Sequence, residues 1–395
     1  MTLKPDTLAM TAVLALLAAL GPLSTDMYLP SLPAIGRELD ATTAEVQLTL
    51  SAFLLGFAVG QFVYGPIADG MGRRPVLLAG LSVFTLASIA CTLAPGIEAL
   101  TAARFAQALG AAGPIVLART IVRDLYEGSR AGRELSRMGA IMGIVPALAP
   151  ILGGLLQELF GWRSTFAATV LFGLLLSGAV ALTMPETLPQ RGGTLSFSTI
   201  LRSFGILLKH PAYRAYVGLA GLTYGGLFAF ISGSSFVLQG VFGLSELAFA
   251  FSFAFVVLGY ISGTLIAQRL VGIRGLDGTI RIGVTLLALG GLAMLGAVLA
   301  QLPSPLAVIV PMAVYTAGVG MTLPSSQASA MTPFPERAGA ASSLLGIFQM
   351  SFAALLGIGL GHALGDAAWP LALAVALTGS FAFVLFAASR RVRAP

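Results

Sequence analysis

Apolar runs of about twenty residues recur along the chain. They fall near residues 8–30, 46–66, 76–94, 99–121, 138–159, 164–184, 213–238, 245–268, 280–301, 305–328, 338–361 and 367–388. Each is long enough to cross a hydrocarbon core of about 30 Å as a helix. Each is bounded by charged or Pro/Gly-rich turns. Short segments of strict alternation are absent, which argues against a transmembrane β-barrel. The pattern predicts an all-α integral membrane protein with twelve spans. Lys4 followed by an apolar run imitates a signal peptide, but that run continues to about residue 30 and similar runs follow it. It reads as the first span.

The longest polar stretch, PETLPQRGGTLSFSTILRSFGILLKHP (185–211), follows the sixth run. It predicts an N-terminal six-helix bundle over 1–184, a linker over 185–211 and a C-terminal six-helix bundle over 212–395. The halves look like weak internal repeats. ALGAAGP (108–114) has a counterpart in TAGVGMTLP (316–324), each a small-residue helix at the fourth position of its half. STDMYLP (24–30) sits where SSFVLQG (234–240) sits in the second half, so the carboxylate of Asp26 belongs to the first half only.

Composition supports the membrane reading. Of 395 residues 57% are hydrophobic and 10% charged, against roughly 25% charged in soluble domains. The formal charge of +6 does not signal nucleic acid, because the basic residues are spread over short loops instead of forming a patch. With both termini on one side, 18 of the 22 Lys and Arg residues fall on that side, among them Lys4, Arg130, Arg191 and Arg390. Arg37 and Arg163 fall on the other, and Arg104 and Arg119 lie within the fourth span. The positive-inside rule then makes the termini cytoplasmic. Cys91 is the only cysteine and reads as a small buried hydrophobe, so no disulfide or zinc pattern is possible.

Asp26 and Arg104 are the charges that need a reason. An ionisable group inside the bilayer costs roughly 2.5–3.5 kcal/mol on insertion scales. Asp26 lies about 27 Å along the first span and Arg104 about 8 Å into the fourth, which runs the other way. Both reach the outer half, where they can pair directly or across one cavity. One use is a structural ion pair, or a cap at a helix break near Pro30 and Pro33. The other is a proton site, with Arg104 returning Asp26 to its ionised state.

A cavity should be apolar and aromatic with scattered polar groups. Phe53, Phe57 and Gln61 share a face of span two. Phe228, Ser232, Ser235, Phe236 and Gln239 share a face of span seven, and Phe236 and Gln239 are favoured. Gln107, Met142, Tyr224, Tyr315, Phe348 and Gln349 are further candidates.

The loop after span two, GPIADGMGRR (65–74), turns the chain around in about eight residues. Gly70 and Gly72 suit positive φ, Asp69 can cap a helix and pair with Arg73, and Gly65 would let a neighbouring helix approach. This loop resembles the loop motif of the major facilitator superfamily through Gly65, Asp69, Gly72, Arg73 and Arg74. The resemblance implies a charged latch closing the cytoplasmic side. AQRLVGIRG (267–275) looks like its degenerate copy in the second half.

LTAARFAQALGAAGP (100–114) resembles the span-four motif, with Arg104, Gln107 and Gly110 three residues apart. GIVPALAPILGG (143–154) resembles the antiporter motif through Gly143, Pro146, Pro150, Gly153 and Gly154, with Ala149 in place of a Gly. TDMYLPSLP, GWRSTF (161–166), PETL (185–188) and SGSSFVLQ (232–239) together resemble the bicyclomycin/chloramphenicol-resistance branch. The resemblance covers essentially the whole chain. It implies twelve helices in two pseudo-symmetric bundles and proton-coupled efflux of small, mostly apolar or weakly cationic drugs. It also implies proton coupling through Asp26 and Arg104.

Other classes fit less well. A phosphate-binding loop needs a Lys, and only Lys4 and Lys209 exist. His210 and His362 stand apart from any nucleophile cluster, so an enzyme is not expected, nor a metal or cofactor. The alternative is a facilitator importing or exchanging a sugar or organic ion. The expected partners are a small drug, protons and the bilayer, without nucleic acid. The expected setting is a monomer in a bacterial cytoplasmic membrane.

Overall fold

The computed structural model describes residues 7–126, 128–188, 197–365 and 367–393. All regular structure among them is helical. Eleven helices there are long and apolar enough to cross a membrane. One of these, α10 (Glu246–Leu299), has 54 residues, a summed length along the helix of about 80 Å at ~1.5 Å per residue, enough for two bilayer crossings. It is kinked at Gly275, whose φ of 68° and ψ of −179° suit only glycine. Its two arms are the eighth and ninth of the twelve expected spans. The stretch between the two expected spans, 269–279, is helical up to the kink, and Gly275 supplies the turn.

The helices form two compact units, residues 1–41 with 52–195 and residues 42–51 with 196–395. The first unit holds α1 (Leu8–Asp26), the short α2 (Leu32–Glu38), most of α3 (Thr43–Met71), α4 (Arg73–Thr92), α5 (Ile97–Leu125), α6 (Gly128–Phe160) and α7 (Arg163–Thr183). The second holds α8 (Phe197–Lys209), α9 (Pro211–Ser235), α10, α11 (Leu306–Met331), α12 (Ala338–Ala363), α13 (Trp369–Ala388) and the one-turn α14 (Arg390–Arg393). Two details depart from the expected division. The stretch expected as linker contains α8, while residues 189–196, with Arg191, lie outside the described residues, as does Lys4. Thr42–Ser51 groups with the second unit, where Gly361 of α12 leaves room for Ala44 and Gln47 at about 3 Å from where its Cβ would stand.

The repeat is visible in packing. A Cβ on Gly110 of α5 would stand 2.8 Å from the Gly80 carbonyl oxygen of α4. A Cβ on Gly318 of α11 would stand 2.6 Å from the Gly283 carbonyl oxygen in the second arm of α10. In each half the fourth span lies backbone to backbone against the third. Small residues permit this, and between apolar helices close packing is the main adhesive force.

Candidate functional site

α1 ends at Asp26. Pro30 falls in a short 3-10 turn, Leu29–Ser31, and Pro33 in the first turn of α2. Proline lacks the N–H that would continue the ladder, and here two prolines three residues apart accompany the break, whereas single prolines such as Pro22 stay inside a helix. Asp26 is therefore buried at a helix C-terminus, with 6% of its surface exposed. Among the described residues it makes no hydrogen bond or ion pair.

The direct pair of Asp26 with Arg104 is not formed. Arg104 is fully buried on α5, and its Nη1 donates to Gln107 Oε1 (2.6 Å) and to the Ser24 carbonyl (3.2 Å). Its guanidinium carbon lies 4.3 Å from the ring centre of Phe53, 4.7 Å from Tyr28 and 5.7 Å from Phe166. Desolvated contacts of this kind are worth about 2 kcal/mol or more. Nε and Nη2 have no hydrogen-bond partner. Gln107 completes the network, its Nε2 donating to Ser88 Oγ (2.8 Å) and Thr169 Oγ1 (3.3 Å). The cation is thus held by π faces and a neutral amide, leaving Asp26 without a counter-ion.

The antiporter-like segment meets α1 at the same place. A Cβ on Gly153 of α6 would collide with the backbone carbonyl of Met27, the residue after Asp26. Gly153 thereby brings α6 onto the peptide where α1 breaks. Pro146 and Pro150 lie inside α6, and Gly154 is buried. Gly143 has open space around it. Phe57 stacks on Phe53 with 6.2 Å between ring centres and fills the space beside Gly21 of α1. Gln61 is half-buried, and Met142 packs against the apolar core of the unit.

The turn between α3 and α4 forms a charged cluster. Asp69 pairs with Arg73, whose Nε donates to Asp124 Oδ2 (3.1 Å). Gly72 has φ 105° and ψ 154°, whereas Gly70 is helical and Gly65 has open space around it, so neither plays its expected part. Glu186 accepts from the backbone N–H groups of Arg73 (2.9 Å), Arg74 (3.3 Å), Thr187 (3.0 Å) and Leu188 (3.0 Å). It caps the start of α4 from 112 residues away in sequence from Arg74. Arg74 donates to the Ala181 carbonyl (2.6 Å). Sequence reasoning missed Asp124 and Glu186 as members of this cluster; the PETL stretch carrying Glu186 was the available signal.

In the second unit the expected cavity residues divide. Tyr315 is fully buried, its hydroxyl 3.2 Å from Thr378 Oγ1 and pressed against Gly226. It is a core residue, contrary to expectation. Phe228 is buried beside Gly357. Ser232 bonds the Ala229 carbonyl (3.3 Å). Gln239 donates to Ser235 Oγ (2.8 Å), and Phe236 opens a π-helical turn over Phe236–Val241. Such wide turns occur often at functional sites, and this one breaks the simple helical face drawn from Phe228 to Gln239. Tyr224 is half-buried; Phe348 is 46% exposed and stacks on Phe352. Gln349 is buried and accepts from Gln327, a residue sequence reasoning passed over.

A model of the Major Facilitator Superfamily matches residues 14–358. The chain belongs to this superfamily. Its facilitator relatives include an uncharacterized MFS-type transporter of Bacillus subtilis, 35% identical over 96% of this chain and 95% of that one. A bicyclomycin resistance protein homolog of Haemophilus influenzae is 31% identical over 90% of each chain. Multidrug resistance protein D of Escherichia coli is 32% identical over 85% of this chain and 84% of that one. Among solved structures, the nucleoside transporter NupG superposes with a TM-score of 0.77 at 14% identity, covering 97% of this chain and 99% of that one; this likeness shows the fold. The facilitator is a multi-pass membrane transporter of small molecules, not an enzyme.

Proposed function

We propose that the protein exports small, mostly apolar or weakly cationic drugs in exchange for protons by alternating access. The observation that carries this reading is Asp26, buried at the end of α1 with no counter-ion while Arg104 is held elsewhere. A carboxylate in such a place has two ways to shed its charge: take up a proton, or pair with a cationic substrate. Competition between the two couples export to proton entry. Each charge moved gains about 2.3 kcal/mol per 100 mV of membrane potential, so the cycle needs no cofactor. The relatives named as bicyclomycin and multidrug resistance proteins support the drug class. The charge bias of the loops supports cytoplasmic termini in a bacterial inner membrane. A monomer suffices, since both units lie in one chain.

The test uses proteoliposomes loaded with a pH-sensitive dye. Addition of a transported drug should move protons through the wild type and not through Asp26→Asn. Undiminished drug-evoked proton movement in the variant would refute the role of Asp26. If no drug moved protons while a sugar or organic ion did, the import reading would replace efflux.

A further inference from the structure

The second unit carries a cavity of about 1100 Å³ between the kinked α10 and the end of α13 with α14. Arg274, Arg281, Arg390 and Arg393 line it beside a single acid, Asp277. Asp277 is already satisfied: it pairs with Arg393 and accepts from the Tyr216 hydroxyl (2.7 Å). Arg393 is buried, lies 3.7 Å from the Phe386 ring centre and donates to the Phe386 carbonyl (2.6 Å). Arg274, Arg281 and Arg390 make no hydrogen bond or ion pair among the described residues and are exposed. The cavity therefore presents three guanidinium groups with no partner among the described residues, on a floor fixed by Arg393. Apart from Thr285, its remaining wall is apolar, including Leu286 and Phe383. Along α10 and α13 that wall continues into exposed Leu289 and Val384.

We infer that this cavity binds an anionic phospholipid, the arginines holding the headgroup phosphate and the apolar wall an acyl chain. Guanidinium forks match phosphate oxygens in geometry and charge, and basic pockets between spans at the membrane edge suit such headgroups. A soluble anion would use the arginines but leave the apolar wall uncovered. A zwitterionic lipid would cover the wall but bring an ammonium toward three unpaired cations. An anionic lipid satisfies both surfaces. The proposal is independent of the transported substrate.

Native mass spectrometry of the purified full chain tests it, with phosphatidylglycerol and phosphatidylcholine of the same acyl chains. The wild type should retain phosphatidylglycerol preferentially, and excess inorganic phosphate should not displace it. The double variant Arg281→Gln/Arg390→Gln should lose about twenty-five-fold in retention, each arginine near an anionic lipid surface being worth about fivefold. Arg130→Gln/Arg133→Gln, which removes equal charge from the first unit, should retain it. Equal retention of both lipids, displacement by phosphate, or equal loss in both double variants would overturn the proposal. A photoactivatable phosphatidylglycerol needs no substitution: on the wild type it should label peptides within 274–286 and 383–393. Labelling confined to other segments would overturn the proposal as well.

Discussion

Replacing Glu186 with alanine should loosen the start of α4, a helix from which it is far removed along the chain, 112 residues after Arg74. The first N–H groups of a helix have no partner within it. Here Arg73 and Arg74 find theirs in the Glu186 carboxylate at 2.9 and 3.3 Å. A side-chain cap is worth about 0.5–2 kcal/mol, and a bond to a charged group about 1.5–3. Glu186 is itself exposed, so solvent screening argues for the lower part of that range, about 1.5 kcal/mol for the pair. That corresponds to about tenfold in local opening. Amide exchange of a peptide over 72–80 should therefore speed about tenfold in Glu186→Ala, with helices α5 and α7 unchanged. Burial pushes the Glu186 carboxyl up, but the N–H groups of Leu188, Arg73, Arg74 and Thr187 outweigh it and hold it below its ordinary value of 4.5. With the folded value depressed, the cap is complete above the unfolded value and is lost as pH falls through the folded one. The protection should therefore be flat near neutral pH and fade only in acid. Unchanged exchange over 72–80 in Glu186→Ala would show that water or another acceptor replaces the cap, and the reasoning would fail.

Gly153→Leu places a side chain where the Met27 backbone stands; over-packing of this kind costs about 1–3 kcal/mol, and a membrane-inserted variant should show a lowered melting temperature and lost drug transport. Arg104→Lys keeps a charge but gives up the planar contacts with Phe53 and Tyr28; transport in proteoliposomes should fall about thirtyfold, the equivalent of about 2 kcal/mol for one desolvated cation–π contact. Tyr315→Phe removes one hydrogen bond to Thr378, worth about 1 kcal/mol; melting should drop slightly while the affinity for drugs stays the same, as suits a core residue and not a cavity wall.

Much of this molecule is legible along the chain because its strongest constraint is local. In a bilayer every backbone polar group must be satisfied within its own segment, so each span announces itself as a run of about twenty apolar residues. The break after Asp26 was legible from local chemistry too: Pro30 and Pro33 each withdraw a ladder N–H just beyond it. So was the pairing of Asp69 with Arg73, four residues apart. The stretches TDMYLPSLP, GWRSTF and PETL stood out as motifs, but their use depends on residues far from them in sequence. Tyr28 and Phe166 meet around Arg104, and Glu186 meets Arg73. Helical spacing could place Tyr315 and Phe228 on a face, yet it could not say whether that face turned inward to a glycine or toward open space. Depth along a helix likewise put Asp26 and Arg104 at one level without deciding their rotation about their axes. Spans follow from hydrophobic length, which each segment carries alone. Partners follow from how helices rotate and pack, which no segment carries alone, and so only the tertiary structure seats Arg104 on aromatic rings and leaves Asp26 unpaired.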